Sequence, residues 1–244
     1  MPPNRYSFTA VNLPPRFLLP EYMQYFTLSA GRDTDIWREP PNGDTLAAPM
    51  VITSLVRPFI VAEVTIRADW EMEGDQGGLI IFAGDAPIQS LSHESMRSSL
   101  VNDVRSSYKW VKAGMEFSAR TVNTTSVSAT SDGADWCSLP LDIPNALINT
   151  ASLRIKLERV GYSLLIWYQN PFLSPDAVTP DAVASTWKKL RKVTGFFYGV
   201  EDKRVHVGVY ASRPTSMQIG EMDDLNMGGE RYKLVVEFED LEIF

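Results

Sequence analysis

The residues of this chain best suited to chemistry stand at alternate positions of one short stretch. From Trp110 to Phe117 the side chains of Val111, Ala113, Met115 and Phe117 are apolar, and between them fall Trp110, Lys112, Gly114 and Glu116. Successive side chains of a strand point to opposite faces, so Trp110, Lys112 and Glu116 project together, away from a core. On one curved sheet they can lie beside Gln76 from one strand and His206 and Tyr210 from another. An aromatic ring with convergent Lys, Glu, Gln and His is what sugar recognition requires. The ring stacks on the C–H face of the sugar, and the polar groups bond its hydroxyls. The same pattern also fits a solvent-facing sheet whose tryptophan is covered by a loop.

Catalytic pairs are harder to find. In Glu237-Phe238-Glu239-Asp240-Leu241-Glu242, Glu237 and Glu239 share a strand face, and retaining glycoside cleavage uses carboxyl groups about 5–5.5 Å apart. The run falls in the last strand and no stacking Trp adjoins it, so it reads as an acidic edge that discourages pairing between sheets. Glu116 is a candidate general acid without a second carboxylate, since alternation puts Asp75 on the side opposite Gln76. His93 and His206 are the only histidines, and neither has a partner at metal-ligand spacing. Asp132 and Asp135 could offer oxygens to calcium, but an Asp-Gly turn accounts for them. Cys137 reads as a small buried hydrophobe, and Gly228-Gly229 lacks the Lys-Ser or Lys-Thr of a phosphate loop. The sequon at Asn123 matters only in a secreted chain. No catalytic residue, metal or cofactor is expected.

Charge narrows the partners. With 23 basic and 30 acidic residues the net charge is −7, which opposes nucleic acid. The one basic run, Lys188-Lys189-Leu190-Arg191-Lys192, reads as a solvated face. Apolar stretches fall short of the roughly 20 residues that span a membrane. The polar, proline-broken start and the single cysteine suggest a cytoplasmic protein.

The elements that position these residues read as strands. Period-two alternation marks Ile60–Asp69, Trp110–Phe117 and Ser152–Arg159, with further strands at Tyr25–Ala30, Gly77–Ala83, Thr125–Ser131, Ser163–Gln169, Val205–Ala211 and Tyr232–Phe244. About ten strands separated by turns predict one all-β sandwich over residues 1–244. Val160-Gly161 and Ser131-Asp132-Gly133 supply hairpin chemistry. A short helix is expected at Thr179–Ala184, capped by Thr179 with Pro180 in its first turn. The stretches Asp85–Tyr108 and Gln169–Asp181 read as long loop insertions.

Several ordered blocks carry a family resemblance: Thr34-Asp35-Ile36-Trp37-Arg38, Asp75-Gln76-Gly77-Gly78-Leu79-Ile80-Ile81, Lys109 to Phe117, Ser131 to Trp136, His206 to Pro214, and Val236 to Ile243. Together they resemble the concanavalin A-like domains of unknown function that include the yeast regulation-of-enolase protein. The resemblance implies a jelly-roll of two antiparallel sheets, lectin- or glucanase-like in form, and a strand near Thr186–Val193. It also implies a non-catalytic cytosolic regulator of carbohydrate metabolism whose partner is a metabolic enzyme such as enolase. The residues themselves leave two alternatives open. One is a carbohydrate-binding module taking a sugar or sugar phosphate on Gln76, Trp110, Lys112, Glu116, His206 and Tyr210; the other is a glycoside-active enzyme.

Overall fold

The structure is a computed structural model that describes residues 7–85, 108–141, 143, 151–169, 186–215 and 233–244. Its strands are β1 (Phe8–Val11), β2 (Tyr25–Ala30), β3 (Ile36–Glu39), β4 (Gly43–Leu46), β5 (Met50–Leu55), β6 (Val61–Ala68), β7 (Gln76–Gly84) and β8 (Tyr108–Ser118). They continue as β9 (Thr121–Thr130), β10 (Gly133–Pro140), β11 (Ser152–Val160), β12 (Ser163–Gln169), β13 (Lys188–Val193), β14 (Val205–Ser212) and β15 (Leu234–Ile243). One sheet runs β1-β5-β14-β7-β8-β9-β10 and the other β13-β12-β11-β6-β15-β2, every neighbouring pair antiparallel. The architecture is a concanavalin A-like jelly-roll. No helix among the described residues is long and apolar enough to cross a membrane.

Alternation decides which side of each strand meets the core. Ala62, Val64, Ile66 and Ala68 of β6 are buried against Leu79, Ile81, Val111, Ala113 and Met115 of the facing sheet. Fully burying one such Val, Leu or Ile contributes about 1.5–3 kcal/mol, so this layer carries most of the stability. A second apolar cluster lies on the other side of the larger sheet. There the β3–β4 hairpin sets Ile36, Leu46 and Ala48 over Met50, Ile52, Ile80, Phe82, Trp110 and Val127. Arg38 pins the hairpin down. It forks onto Asp44 (Nη2–Oδ2 2.6 Å) and donates to the carbonyls of Tyr108 and Thr130 at 3.1 and 2.8 Å. Tyr108 also donates its hydroxyl to Asp44.

Two sequence expectations change. β1, β3, β4, β5 and β10 were not expected, because short strands and those carrying Gly, Thr or Pro lack a long alternating run. β15 is not an edge: it pairs with β2 and β6 on its two sides, so Glu237 and Glu239 stand on the outer face of a central strand. The edge strands of that sheet are β2 and β13, and β13 carries the basic run with Lys188, Lys189 and Lys192 in solvent. The expected helix and most of the two long loops lie outside the described residues.

The strongest polar contact is buried. Arg213, just past β14, donates from Nε and Nη2 to Asp75 Oδ1 and Oδ2 at 2.7 and 2.8 Å, with 2% and 0% of the two side chains exposed. Asp75 Oδ2 also accepts from the backbone N–H groups of Glu71 and Met72. Breaking one side of such a pair leaves an uncompensated buried charge. Asp75→Asn is therefore expected to cost about 3–5 kcal/mol in urea unfolding, with part of the loss restored by adding Arg213→Met. A change below about 1 kcal/mol in the single variant would show that the pair does not hold these loops together.

Candidate functional site

The register of the larger sheet arranges its outer face in rows that cross the strands. One row holds Ser212, Gln76, Glu116, Asn123 and Pro140 from β14, β7, β8, β9 and β10. The next holds Tyr210, Gly78, Gly114, Thr125 and Ser138, and the one after it Gly208, Ile80, Lys112, Val127 and Trp136. Gln76, Lys112, Glu116 and Tyr210 are thus brought together, as alternation predicts. Between them the floor is bare backbone. A Cβ on Gly114 would stand 2.0 Å from the carbonyl oxygen of Gly77, and one on Gly78 2.1 Å from that of Ala113. Neither position tolerates a side chain.

Trp110 and His206 do not join this group. Trp110 is fully buried under the hairpin, packed with Phe82 and Ala129, and no ring face is open to a ligand. The alternation is right for it, but the apolar residues of β3 and β4 cover that end of the face. His206 lies beside Phe82, in the same row as Trp110. It is buried, its Nδ1 is 2.7 Å from Ser54 Oγ, and burial together with the charge of Arg204 lowers its pKa.

Two residues take their place. Trp136 on β10 is 48% exposed, and its indole N–H donates to Glu116 Oε2 at 3.1 Å, which fixes the ring at the margin of the glycine floor. Asp35 stands at the start of the hairpin and accepts from Lys112 Nζ at 3.1 Å and from the N–H of Ile36 at 2.7 Å. Both residues lay in the blocks that carry the family resemblance, but period-two alternation gave no reason to choose them. Asp35 precedes a short strand, and Trp136 lies on a β10 whose burial does not alternate.

The electrostatics follow from burial. The Lys112 ammonium is almost wholly buried. Desolvation lowers its pKa, while Asp35 and Glu116 act in the opposite direction. Glu116 is raised, chiefly by burial and further by Asp35 and Glu73, against the Trp136 hydrogen bond and Lys112. Burial, with the charges of Glu116 and Asp35, pushes the Tyr210 phenol well above its ordinary range. At neutral pH Tyr210 is therefore a neutral donor, its ring 5.8 Å from Lys112 Nζ. Among the described residues the Gln76 amide makes no hydrogen bond, and Glu116 Oε1 accepts none. The arrangement offers a free amide, a free carboxyl oxygen and an aromatic ring around a flat floor. Asp132 and Asp135 form no metal cluster with other described residues, and Asp135 is paired with Arg191.

A family model of proteins of unknown function, DUF1349, matches residues 20–243. The chain belongs to that family. An uncharacterized protein of Emericella nidulans is 30% identical over 192 residues, covering 78% of each chain. The fold recurs in a functionally unknown protein from Saccharomyces cerevisiae, with a TM-score of 0.60 and 18% identity over 99% of this chain and 98% of that one. It recurs as well in LamA of Zobellia galactanivorans, solved in complex with laminaritriose and laminaritetraose. That match has a TM-score of 0.50 and 7% identity over 99% of this chain and 93% of the other.

The raised pKa of Glu116 has a consequence for stability. Between its unfolded and folded values the native state holds the extra proton, so unfolding free energy falls as pH rises through that interval. The interval opens at the ordinary carboxylate value, so Glu116→Gln is expected to lessen the stability lost between about pH 4 and pH 7. Urea unfolding across that range reads the effect. An equal or steeper loss in the variant would contradict the assignment.

Proposed function

We propose that this protein binds carbohydrate without cleaving it, on the part of the larger sheet's outer face that the hairpin leaves uncovered. What carries the reading is the bare-backbone glycine floor, with the polar groups of Gln76, Glu116, Lys112 and Tyr210 beside it and the half-exposed ring of Trp136 at its margin. A sugar ring is flat on its C–H face and rimmed by hydroxyls. The bare backbone admits the ring, the half-exposed indole of Trp136 stacks on it, and the Gln76 amide and Glu116 Oε1 meet its hydroxyls. The oligosaccharides bound by LamA, whose fold is similar, are a sensible first class of ligand. Catalysis is not part of the reading. Asp35 is neutralised by Lys112, and Glu116 is tied to Trp136, so neither is placed as a free nucleophile.

Titration calorimetry with laminaritriose, xylo-oligosaccharides and their monosaccharides tests the proposal. Saturable heat at about millimolar affinity is expected with at least one of them, falling roughly tenfold in Gln76→Ala and further in Trp136→Ala. No heat with any sugar, or heat unchanged in both variants, would sink it.

A second reading, regulation of a metabolic enzyme such as enolase, draws support from a different surface. Val56, Ile60, Val160, Tyr162 and Tyr198 are exposed at one end of the sandwich. Tyr162 and Tyr198 meet edge to face at 5.7 Å between ring centroids. Grouped apolar exposure of this kind marks protein contacts. Purified enolase co-sedimenting with this protein, but not with its Tyr162→Ser/Tyr198→Ser variant, is the outcome this reading requires.

A further inference from the structure

We infer that the opening between the end of β5 and the start of β14 is a second binding site, one that takes a small phosphomonoester. The cavity there measures about 420 Å³, enough for a small organic anion. Three arginines line it: Arg57, Arg159 and Arg204. In a chain of net charge −7 such a grouping is unexpected, because the field of the whole molecule repels anions and only a local basic cluster draws one in.

The guanidinium groups are available. Among the described residues neither Arg57 nor Arg204 forms an ion pair or a side-chain hydrogen bond. Arg159 is braced: Nε donates to the carbonyl of Gly161 at 3.0 Å, and Cζ lies 4.5 Å from the centroid of the Phe197 ring. That contact orders the long side chain in advance and leaves both terminal nitrogens to donate. Planar forks of this kind match the oxygens of a phosphate two at a time. The other charged lining groups matter less. Lys203 is already paired with Asp85 at 2.7 Å. The Glu201 carboxyl is held below its ordinary range first by backbone hydrogen bonds at Glu201 and Gly199, and further by the charges of Lys109 and Arg159, so it stays an anion. Glu201 and Asp202 are the two opposing charges, against three guanidiniums.

The wall is firm and partly apolar. Lys109 Nζ donates to the carbonyls of Gly195 and Tyr198, and Gly84 N–H to that of Arg204, so the 195–204 turn is tied to β7 and β8. Phe197 and Val200 supply an apolar surface on which the body of an ester can rest. A phosphomonoester with an apolar or ring-shaped body therefore fits better than inorganic phosphate, which uses only the arginines. The site lies away from the glycine floor and stands whether or not that face binds sugar.

The experiment titrates the full-length protein with inorganic phosphate and, separately, with phenyl phosphate. Binding is followed by calorimetry and by the imidazole proton resonances of His206, whose Nδ1 contacts Ser54 in the wall. One-site binding of phenyl phosphate is expected, several-fold tighter than phosphate. It should weaken by roughly tenfold or more in Arg57→Gln/Arg204→Gln. Both arginines are exposed, so this variant should keep the wild-type thermal transition; Arg159→Lys serves as a second variant, which should weaken binding through loss of the fork. Arg120→Gln, in the β8–β9 turn, and Gln76→Ala, on the sheet face, should bind as wild type. Absence of binding, binding unchanged in the arginine variants, or an unmoved His206 resonance would overturn the site. Equal affinity for the two probes would overturn the preference for an ester.

Discussion

The architecture depends on one buried ion pair. Asp75 and Arg213 are separated by 138 positions in the chain, and together they close the end of the larger sheet where β7 begins and β14 stops. Their surroundings reach further than the pair. The N–H of Arg213 donates to Thr34 Oγ1, the N–H of Thr34 donates to the carbonyl of Arg213, and Ser212 Oγ donates to the carbonyl of Thr34. Thr34 precedes Asp35, so the charged pair positions the carboxylate that neutralises Lys112. Two charges in an apolar interior are tolerated only when nearly every donor and acceptor is satisfied, and here the backbone of Glu71 and Met72 completes the set.

From that anchor the hairpin of β3 and β4 divides the outer face of the larger sheet. Its apolar residues bury Trp110, Phe82 and Ile80, and they make the sheet two-sided where a simple sandwich has one dry face and one wet face. Arg38 and Asp44 hold the hairpin in place by charge and by hydrogen bonds to two carbonyls of the sheet. The division leaves polar side chains and glycines on one part of the face. The candidate site is the remainder of a surface whose other part became core.

Burial sets the character of that remainder. Lys112 is too deep to act as a solvated cation, and its charge is sustained by Asp35 and Glu116. Glu116 is in turn shared between Lys112 and the indole of Trp136. Each group therefore fixes its neighbour's orientation before any ligand arrives, which lowers the ordering cost of binding. At the opposite end of β14, Arg57 and Arg204 form no ion pair with a carboxylate among the described residues. Pre-paired charges describe the first site, and an excess of guanidinium over carboxylate the second.

The sequence by itself determined the sandwich and the side on which each long strand faces the core. Alternation is a local property, visible in β6, β8 and β11 without knowledge of their partners. For the same reason Lys112, Glu116 and Gln76 could be placed on one face with Tyr210. Tertiary structure alone decided what packs over those residues, all of which are buried. Trp110 and His206 satisfy the same alternation as Glu116, but Trp110 is packed under the β3–β4 hairpin and His206 stands in Trp110's row, beyond that of Lys112. Trp136 and Asp35 enter the site by register and by loop path, which depend on pairings between distant parts of the chain. The arginine pocket is assembled from three separate chain segments whose proximity no local pattern encodes. Periodicity records which side of a strand is polar, and only packing of the other elements decides whether water or a ligand can reach it.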